Sequence, residues 1–238
     1  MKTVFITGAS SDIGLAVCRR YIAEGGHRIV AHFRTARPEL EALIDGAGMV
    51  TPLQIDYADA GALEGEIASR PKLFSEADVL INLAAYVPAV SFNAFTVEDV
   101  LDCLRVNLLP GLLLMQAMGP AMAERGWGRI VHGSSIGVKF GGGRDTFAYS
   151  LSKHAQEFIP RVCRDWAARN VLTNVLRIGV TGTRIHAHVD GKSVAERAAL
   201  IPMNRMATPE EIAEFIFWLG SASNTYVTGE VLTAAGGE

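Results

Sequence analysis

Strand-length runs of β-branched and apolar residues alternate with longer segments of helical period from the first residue to about residue 180. That alternation restricts the chain to repeated βαβ units, a parallel sheet with helices on both faces, because parallel neighbours need a crossover and a helix supplies it. KTVFIT (2–7) and HRIVAHF (27–33) read as strands around the helix DIGLAVCRRYIAEG (12–25). MVTPLQID (49–56), ADVLINLAA (77–85), GRIVHGSS (128–135) and VLTNVLRI (171–178) read as further strands, with helices near 38–45, 60–69, 97–124 and 147–169. At 238 residues the chain fits one α/β domain, a doubly wound parallel sheet spanning 1–238, with a real core and no room for a second domain.

The alternation lapses after RIGVTGT for about twenty residues, RIHAHVDGKSVAERAALIPM. An insertion beyond a strand's carboxyl end is where such a sheet carries a substrate lid, here about 183–203. TPEEIAEFIFWLG (208–220) then opens with a Thr cap, a Pro at the first helical position and two acidic residues in the first turn.

A net charge of -3 without any run of five Lys or Arg excludes the basic stripe of a nucleic-acid binder. Arg161, Arg164 and Arg169 read as a solvated helix face. Cys18, Cys103 and Cys163 match neither a zinc site nor a disulfide framework, so free thiols in a reducing, cytoplasmic setting are expected. The apolar start of MKTVFITGAS is too short for a signal peptide and reads as a strand. The most lipid-like run, VNLLPGLLLMQAMGPAMAE, carries Asn107, Pro110, Gln116 and Pro120 and reads as a buried or interface helix rather than a membrane span.

TGASSDIG (7–14) joins the first strand to the first helix, where turn amides and a helix N-terminus converge on a point suited to a pyrophosphate. At the end of the second strand, VAHFRTARPE offers Arg34, Thr35 and Arg37 and no acidic residue before Glu39. An acid there would accept from a ribose 2′-hydroxyl, whereas Arg accommodates a 2′-phosphate, so NADP(H) is expected over NAD(H).

FAYSLSKHAQEF sets Tyr149 one helical turn before Lys153, where a cation on the same face can tune a phenol whose ordinary pKa of about 10 suits neither giving nor taking a proton at neutrality. Taken in order, TGASSDIG, INLAA, RVNLL, HGSSIG and YSLSK resemble the short-chain dehydrogenase/reductase family, and the resemblance runs through IPMNRMATPEEIA to the closing YVTGEVLTAAGG. It implies a Rossmann fold and a catalytic set of Asn107, Ser135, Tyr149 and Lys153, with Ser135 rather than Ser134 selected by the spacing to the tyrosine. Tyr149 would exchange a proton with the substrate oxygen, Lys153 would lower the phenol's pKa and hold the cofactor ribose, Ser135 would hydrogen-bond the substrate oxygen, and Asn107 would fix a water relaying protons behind Lys153. For the cofactor the resemblance implies Gly8, Ser10, Ser11, Asp12, Ile13 and Gly14 at the turn, Arg34 and Thr35, Asp56 at the adenine, and Asn82 in a mainly strand-stabilising role. It adds Ala84 near the adenosine, Tyr149 and Lys153 again, and Thr181 and Thr183 toward the nicotinamide.

Three departures bear on cofactor affinity. Asp12 replaces a glycine that lets backbone approach the diphosphate, and its carboxylate is expected to point outward. The family's NNAG reads NLAA, changing Leu83 and Ala85, and its PG after the sixth strand reads Ile178–Gly179.

The implied activity is NADPH-dependent reduction of a ketone or aldehyde. Oxidation of an alcohol by the same site and a non-catalytic, cofactor-sensing role remain alternatives. The partners implied are a small carbonyl or alcohol compound and further copies of the chain, as a homotetramer or homodimer built on the long apolar helix and the Tyr149 helix; neither nucleic acid nor membrane is expected. No metal is expected, His186 and His188 lacking a paired carboxylate or cysteine at ligand spacing. Phe92, Phe95 and Phe140 are candidates for an apolar substrate wall, and Arg144 reads as an exposed loop residue.

Overall fold

The computed structural model describes residues 1–184 and 194–238. Seven strands form one parallel sheet in the order β3-β2-β1-β4-β5-β6-β7. They are β1 (Lys2–Thr7), β2 (His27–Phe33), β3 (Val50–Gln54), β4 (Val79–Asn82), β5 (Gly128–Ser135), β6 (Val171–Ile178) and β7 (Val231–Ala234). The helices are α1 (Asp12–Glu24), α2 (Pro38–Ala47), α3 (Ala62–Ser69), α4 (Pro71–Ser75), α5 (Val97–Asn107), α6 (Leu109–Arg125), α7 (Phe147–Gln156), α8 (Arg161–Asp165), α9 (Val194–Ala198) and α10 (Pro209–Gly220).

Each central strand feeds two cores because successive side chains point to opposite faces. Val4 and Ile6 of β1, Ile29 and Ala31 of β2, and Val79 and Ile81 of β4 pack with α1 and α10. Phe5, Val30 and Leu80, between them in sequence, pack on the other face with Leu114, Met118 and Met122 of α6. This is the two-sided burial that near-continuous apolar strands demand.

Four of the six expected strands have their expected bounds. β3 and β4 are shorter, and β7, which follows α10 and pairs in parallel with β6, was not among the expected strands. The single helix expected over 97–124 is two, broken at Leu108, where Pro110 lacks an N–H for the preceding turn. Pro120 is carried inside α6. The segment expected as a helix over 147–169 ends at Gln156, resumes as α8 after Pro160, and closes in a 3₁₀ turn, Trp166–Arg169. α10 has the expected Thr208 cap, with a full capping box to Glu211. Of the lid read at 183–203, residues 185–193, including His186 and His188, lie outside the described residues.

Candidate active site

The sheet order reverses between β1 and β4, and outside the carboxyl ends of those strands lies a cleft of ≈ 540 Å³. A crevice at that switch point is where open parallel sheets hold ligands. Gly8, Ser10, Ser11, Asp12 and Ile13 form one lip, Arg34, Thr35 and Arg37 one end, and Ser135, Tyr149 and Lys153 the other, with Thr181, Thr183 and Arg184 opposite.

The turn before α1 is held by its own side chains. Ser11 caps the helix, its Oγ accepting from Gly14 N at 3.0 Å while donating to Gly8 O at 2.7 Å. Gly8 has φ +66, and a Cβ on Gly14 would lie 2.2 Å from Gly8 O, so the helix can start this close to the turn only without side chains. Gly14 is thus a packing residue and not part of the lining. Gly8 N donates to His32 Nδ1 at 3.3 Å, which leaves the proton on Nε2 to be donated to Ile55 O at 3.1 Å. Tyr57 stacks on the same ring, centroids 4.0 Å apart. Burial pulls His32 down to about 4, so it stays neutral and braces the turn against β2 and the end of β3. Neither His32 nor Tyr57 stood out in the sequence, because a histidine in an apolar strand shows its partner only once the turn is folded over it.

Asp56 and Ala84 line the cleft, Asp56 with its Oδ1 accepting from Ala58 N. Asn82 does not line it. Its Oδ1 accepts from Thr7 Oγ1 at 2.8 Å and its Nδ2 donates to His132 Nδ1 at 3.1 Å, tying β1, β4 and β5 together. Thr181 is buried and donates to Gly179 O; Thr183 donates to Thr181 O. Asp12 lies on the cleft's lip and, instead of pointing freely outward, reaches across to Arg184. Its carboxylate accepts from Arg184 N at 2.8 Å and Arg184 Nε at 2.8 Å. Burial pushes Asp12 up, but these bonds outweigh it and hold the carboxyl below its ordinary range.

At the other end, the eight-residue β5–β6 register brings Ser135 opposite Ile178. Ser135 hydrogen-bonds the Tyr149 phenol, and its Oγ accepts from Gly137 N. Ser134 turns away, donating to Glu157 Oε1 at 2.8 Å. Lys153 Nζ donates to Gly133 O at 2.7 Å and Gln156 Oε1 at 3.1 Å, and stands 6.0 Å from the Tyr149 ring centroid. Burial pushes Tyr149 up to about 12, against a smaller lowering by the Ser135 bond, and pulls Lys153 down to about 7. The expected lowering of the phenol by Lys153 is therefore not the dominant effect here. The protein packed around both side chains penalises both charged forms.

Asn107 lies outside the cleft lining. Its Oδ1 accepts from Tyr86 N at 2.6 Å, and its Nδ2 donates to Tyr86 O and Ser152 Oγ, so the carboxamide braces the loop after β4. The cause is its place at the α5–α6 break, facing that loop. Phe92, Phe95 and Phe147 form an aromatic cluster outside the cleft lining, Phe140 is exposed, and Arg144 pairs with Asp145 at 4.0 Å on the surface. The apolar wall expected from the phenylalanines is instead supplied by Ile178, Val87 and Ala89. Among the described residues no group of three or more His, Cys, Asp or Glu side chains could hold a metal.

A family model described as enoyl-(acyl carrier protein) reductase matches residues 8–238. The chain is 28% identical over 246 residues to an acetoacetyl-CoA reductase of Cupriavidus necator, covering 99% of this chain and 97% of that one. It is 30% identical over 243 residues to a galactitol 2-dehydrogenase (L-tagatose-forming) of Cereibacter sphaeroides, covering 98% and 92%. A 3-oxoacyl (acyl-carrier-protein) reductase from Agrobacterium tumefaciens, solved with NADP bound, superposes with a TM-score of 0.87 at 29% identity, covering 100% of this chain and 94% of that one. With the cleft at the switch point and the Ser135, Tyr149 and Lys153 cluster at its inner end, these likenesses have one reading: the chain is an oxidoreductase of the short-chain dehydrogenase/reductase family.

Proposed function

We propose that the chain reduces a ketone or aldehyde to an alcohol with NADPH, Tyr149 acting as general acid. The observation that carries this is the placement of the Tyr149 phenol with Ser135 and Lys153 at one end of the cleft. Burial pushes the phenol up to about 12, so at neutral pH it holds the proton that reduction consumes.

The cleft suits a nicotinamide dinucleotide. Gly8, Ser10 and Ser11 line the cleft at the N-terminus of α1, where phosphate binds well. At the far end Arg37 Nη1 is buried without a hydrogen-bond partner, beside Arg34 and Thr35. A guanidinium nitrogen with no hydrogen-bond partner there, its nearest carboxylate oxygen on Asp12 4.0 Å away, is the complement of a 2′-phosphate. When bound, the nicotinamide supplies the hydride that the carbonyl carbon accepts. Tyr149 Oη gives its proton to the oxygen as negative charge builds there, and Ser135 Oγ donates a hydrogen bond to the same oxygen. Lys153, anchored by Gly133 O and Gln156 Oε1 with its Nζ 6.0 Å from the Tyr149 ring centroid, would in its protonated form stabilise the phenolate left behind.

The test is a parallel titration of NADPH and NADH followed by nicotinamide fluorescence. NADPH is expected to bind at least about tenfold tighter, and Arg34→Ala to erase most of that preference; a preference for NADH sinks the cofactor assignment. A carbonyl panel with Tyr149→Phe as control then tests the reaction.

The chain is also proposed to self-associate. Val97, Leu101, Leu109, Leu112, Leu151 and Val162 are exposed on α5, α6, α7 and α8, apolar side chains that a second copy of the chain would cover.

A further inference from the structure

The cleft is bridged at its mouth by one residue pair. Asp12, the first residue of α1, and Arg184, just after β6, come from opposite lips and are separated by 172 positions in sequence. Arg184 engages Asp12 three times: its backbone N donates to Oδ2 at 2.8 Å, its Nε to Oδ1 at 2.8 Å, and its Nη2 also to Oδ1. Because a main-chain N–H takes part, the contact positions the backbone of the lip and not only a side chain. That lip is anchored just upstream, where Gly182 N donates to Ala207 O at 2.9 Å and Ala207 N to Val180 O at 3.0 Å. Arg184 Nη1 reaches on to Glu39 Oε1 at 3.4 Å, and Arg37 Nη1 stands 4.0 Å from Asp12 Oδ1.

The position of this pair creates a conflict that the pair itself resolves. The α1 N-terminus beside Gly8 and Ser10 is the anion end of the cleft, yet its first side chain is a carboxylate. A diphosphate brought there meets the Asp12 charge at short range, where like charges repel. Arg184 cancels that charge and, on the opposite lip, closes the mouth above the turn.

We propose that Asp12 and Arg184 form a clasp over the cofactor's diphosphate, with Arg184 setting dinucleotide affinity through Asp12 and the clasp setting how fast the dinucleotide leaves. This rests on the dinucleotide reading above. Both side chains are partly exposed, with relative areas of 20% for Asp12 and 49% for Arg184, so the pair contributes little to folding and its variants are expected to fold.

The experiment is a double-mutant cycle on the full chain with NADPH as probe, reading equilibrium affinity and dissociation rate by nicotinamide fluorescence, with thermal melts as a fold control. Arg184→Gln leaves Asp12 with only Arg37, 4.0 Å away, and is expected to weaken NADPH about tenfold or more. Asp12→Asn, which keeps an acceptor and drops the charge, is expected to change affinity by less than about threefold while speeding dissociation. The double variant is expected to bind within about threefold of Asp12→Asn alone, because the charge that made the Arg184 loss harmful is gone. Arg184→Lys restores charge without the fork and is expected to recover most of the affinity but not the slow dissociation. If the wild type binds NADPH and the two single effects simply multiply, the clasp is overturned while the dinucleotide reading stands. If the wild type binds neither NADPH nor NADH, the dinucleotide reading fails and takes the clasp with it.

Discussion

Lys153 is the residue whose surroundings most alter its chemistry. Buried at the base of the cleft, it is pulled down to about 7 by desolvation, while Gly133 O and Gln156 Oε1 accept from it. In the unfolded chain a lysine holds its proton to about 10.4, so between about pH 7 and pH 10 the unfolded state binds more protons. Stability from this group therefore rises with pH across that window. Thermal melts of the wild type and Lys153→Met at pH 7 and pH 9 are expected to show it, with the variant lacking a few degrees of the wild type's gain. Gln156 offers a finer test, because its Nε2 is buried and unpartnered while its Oε1 serves Lys153. Gln156→Leu removes that acceptor and is expected to lower the Lys153 pKa further, moving the pH dependence of NADPH binding to lower pH, whereas Gln156→Glu moves it to higher pH. Shifts in the same direction for both variants contradict a positioning role. Tyr149→Phe, which removes only the proton donor, is expected to cut carbonyl reduction about 1000-fold while leaving NADPH affinity within about threefold.

The element that sets this geometry is α7, and its C-terminal end is fastened to the sheet by polar bonds as well as packing. Glu157, one residue past the helix, accepts from Arg177 Nε at 2.7 Å and Nη2 at 2.6 Å and from Ser134 Oγ at 2.8 Å. Those bonds join α7 to β5 and β6, the strands that deliver Ser135 and Ile178. Glu157 is largely buried, so removing its charge leaves Arg177 without its partner in a partly dry place. Glu157→Gln is expected to cost about 2–3 kcal/mol by urea denaturation and to lower kcat more than it raises KM. An unchanged kcat in a destabilised protein would show that the brace supports folding alone. The break at Leu108 is equally purposeful in its effect: it ends α5 with Asn107 turned toward the Tyr86 loop, which lines the cleft.

At the scale of the molecule, strand order decides where chemistry happens. The reversal between β1 and β4 opens the crevice, and residues from six strand ends, β1 to β6, and both lips meet there. The same fold leaves the stretch Val97–Arg125, long and apolar enough by composition to cross a membrane, folded as two helices. One side of α6 is in the core through Leu114, Met118 and Met122, and the other shows Leu109 and Leu112. Light scattering after size exclusion is expected to give a mass of more than one chain, and Leu112→Glu with Leu151→Glu is expected to reduce it. A monomeric wild type would show that this apolar surface serves something other than self-association.

The sequence by itself determined the fold class, because apolar period and strand length are local and survive in any context. KTVFIT, HRIVAHF, GRIVHGSS and VLTNVLRI were legible to the residue, as was the capped start of α10. Five ordered motifs likewise made Ser135, Tyr149 and Lys153 legible as a set, which the fold brings to one end of the cleft, with the Ser134 hydroxyl engaged by Glu157 instead. What only the tertiary structure decided were relations between residues distant in the chain: His32 beneath Gly8, the Asn107 carboxamide turned to Tyr86, and Arg184 on Asp12. Hydrogen bonds and desolvation depend on which groups are brought within about 3 Å and how much water leaves with them, and neither is encoded in local spacing. For that reason the Tyr149–Lys153 spacing could suggest a tuned phenol, but only the buried site shows that desolvation, rather than the lysine's charge, sets its direction.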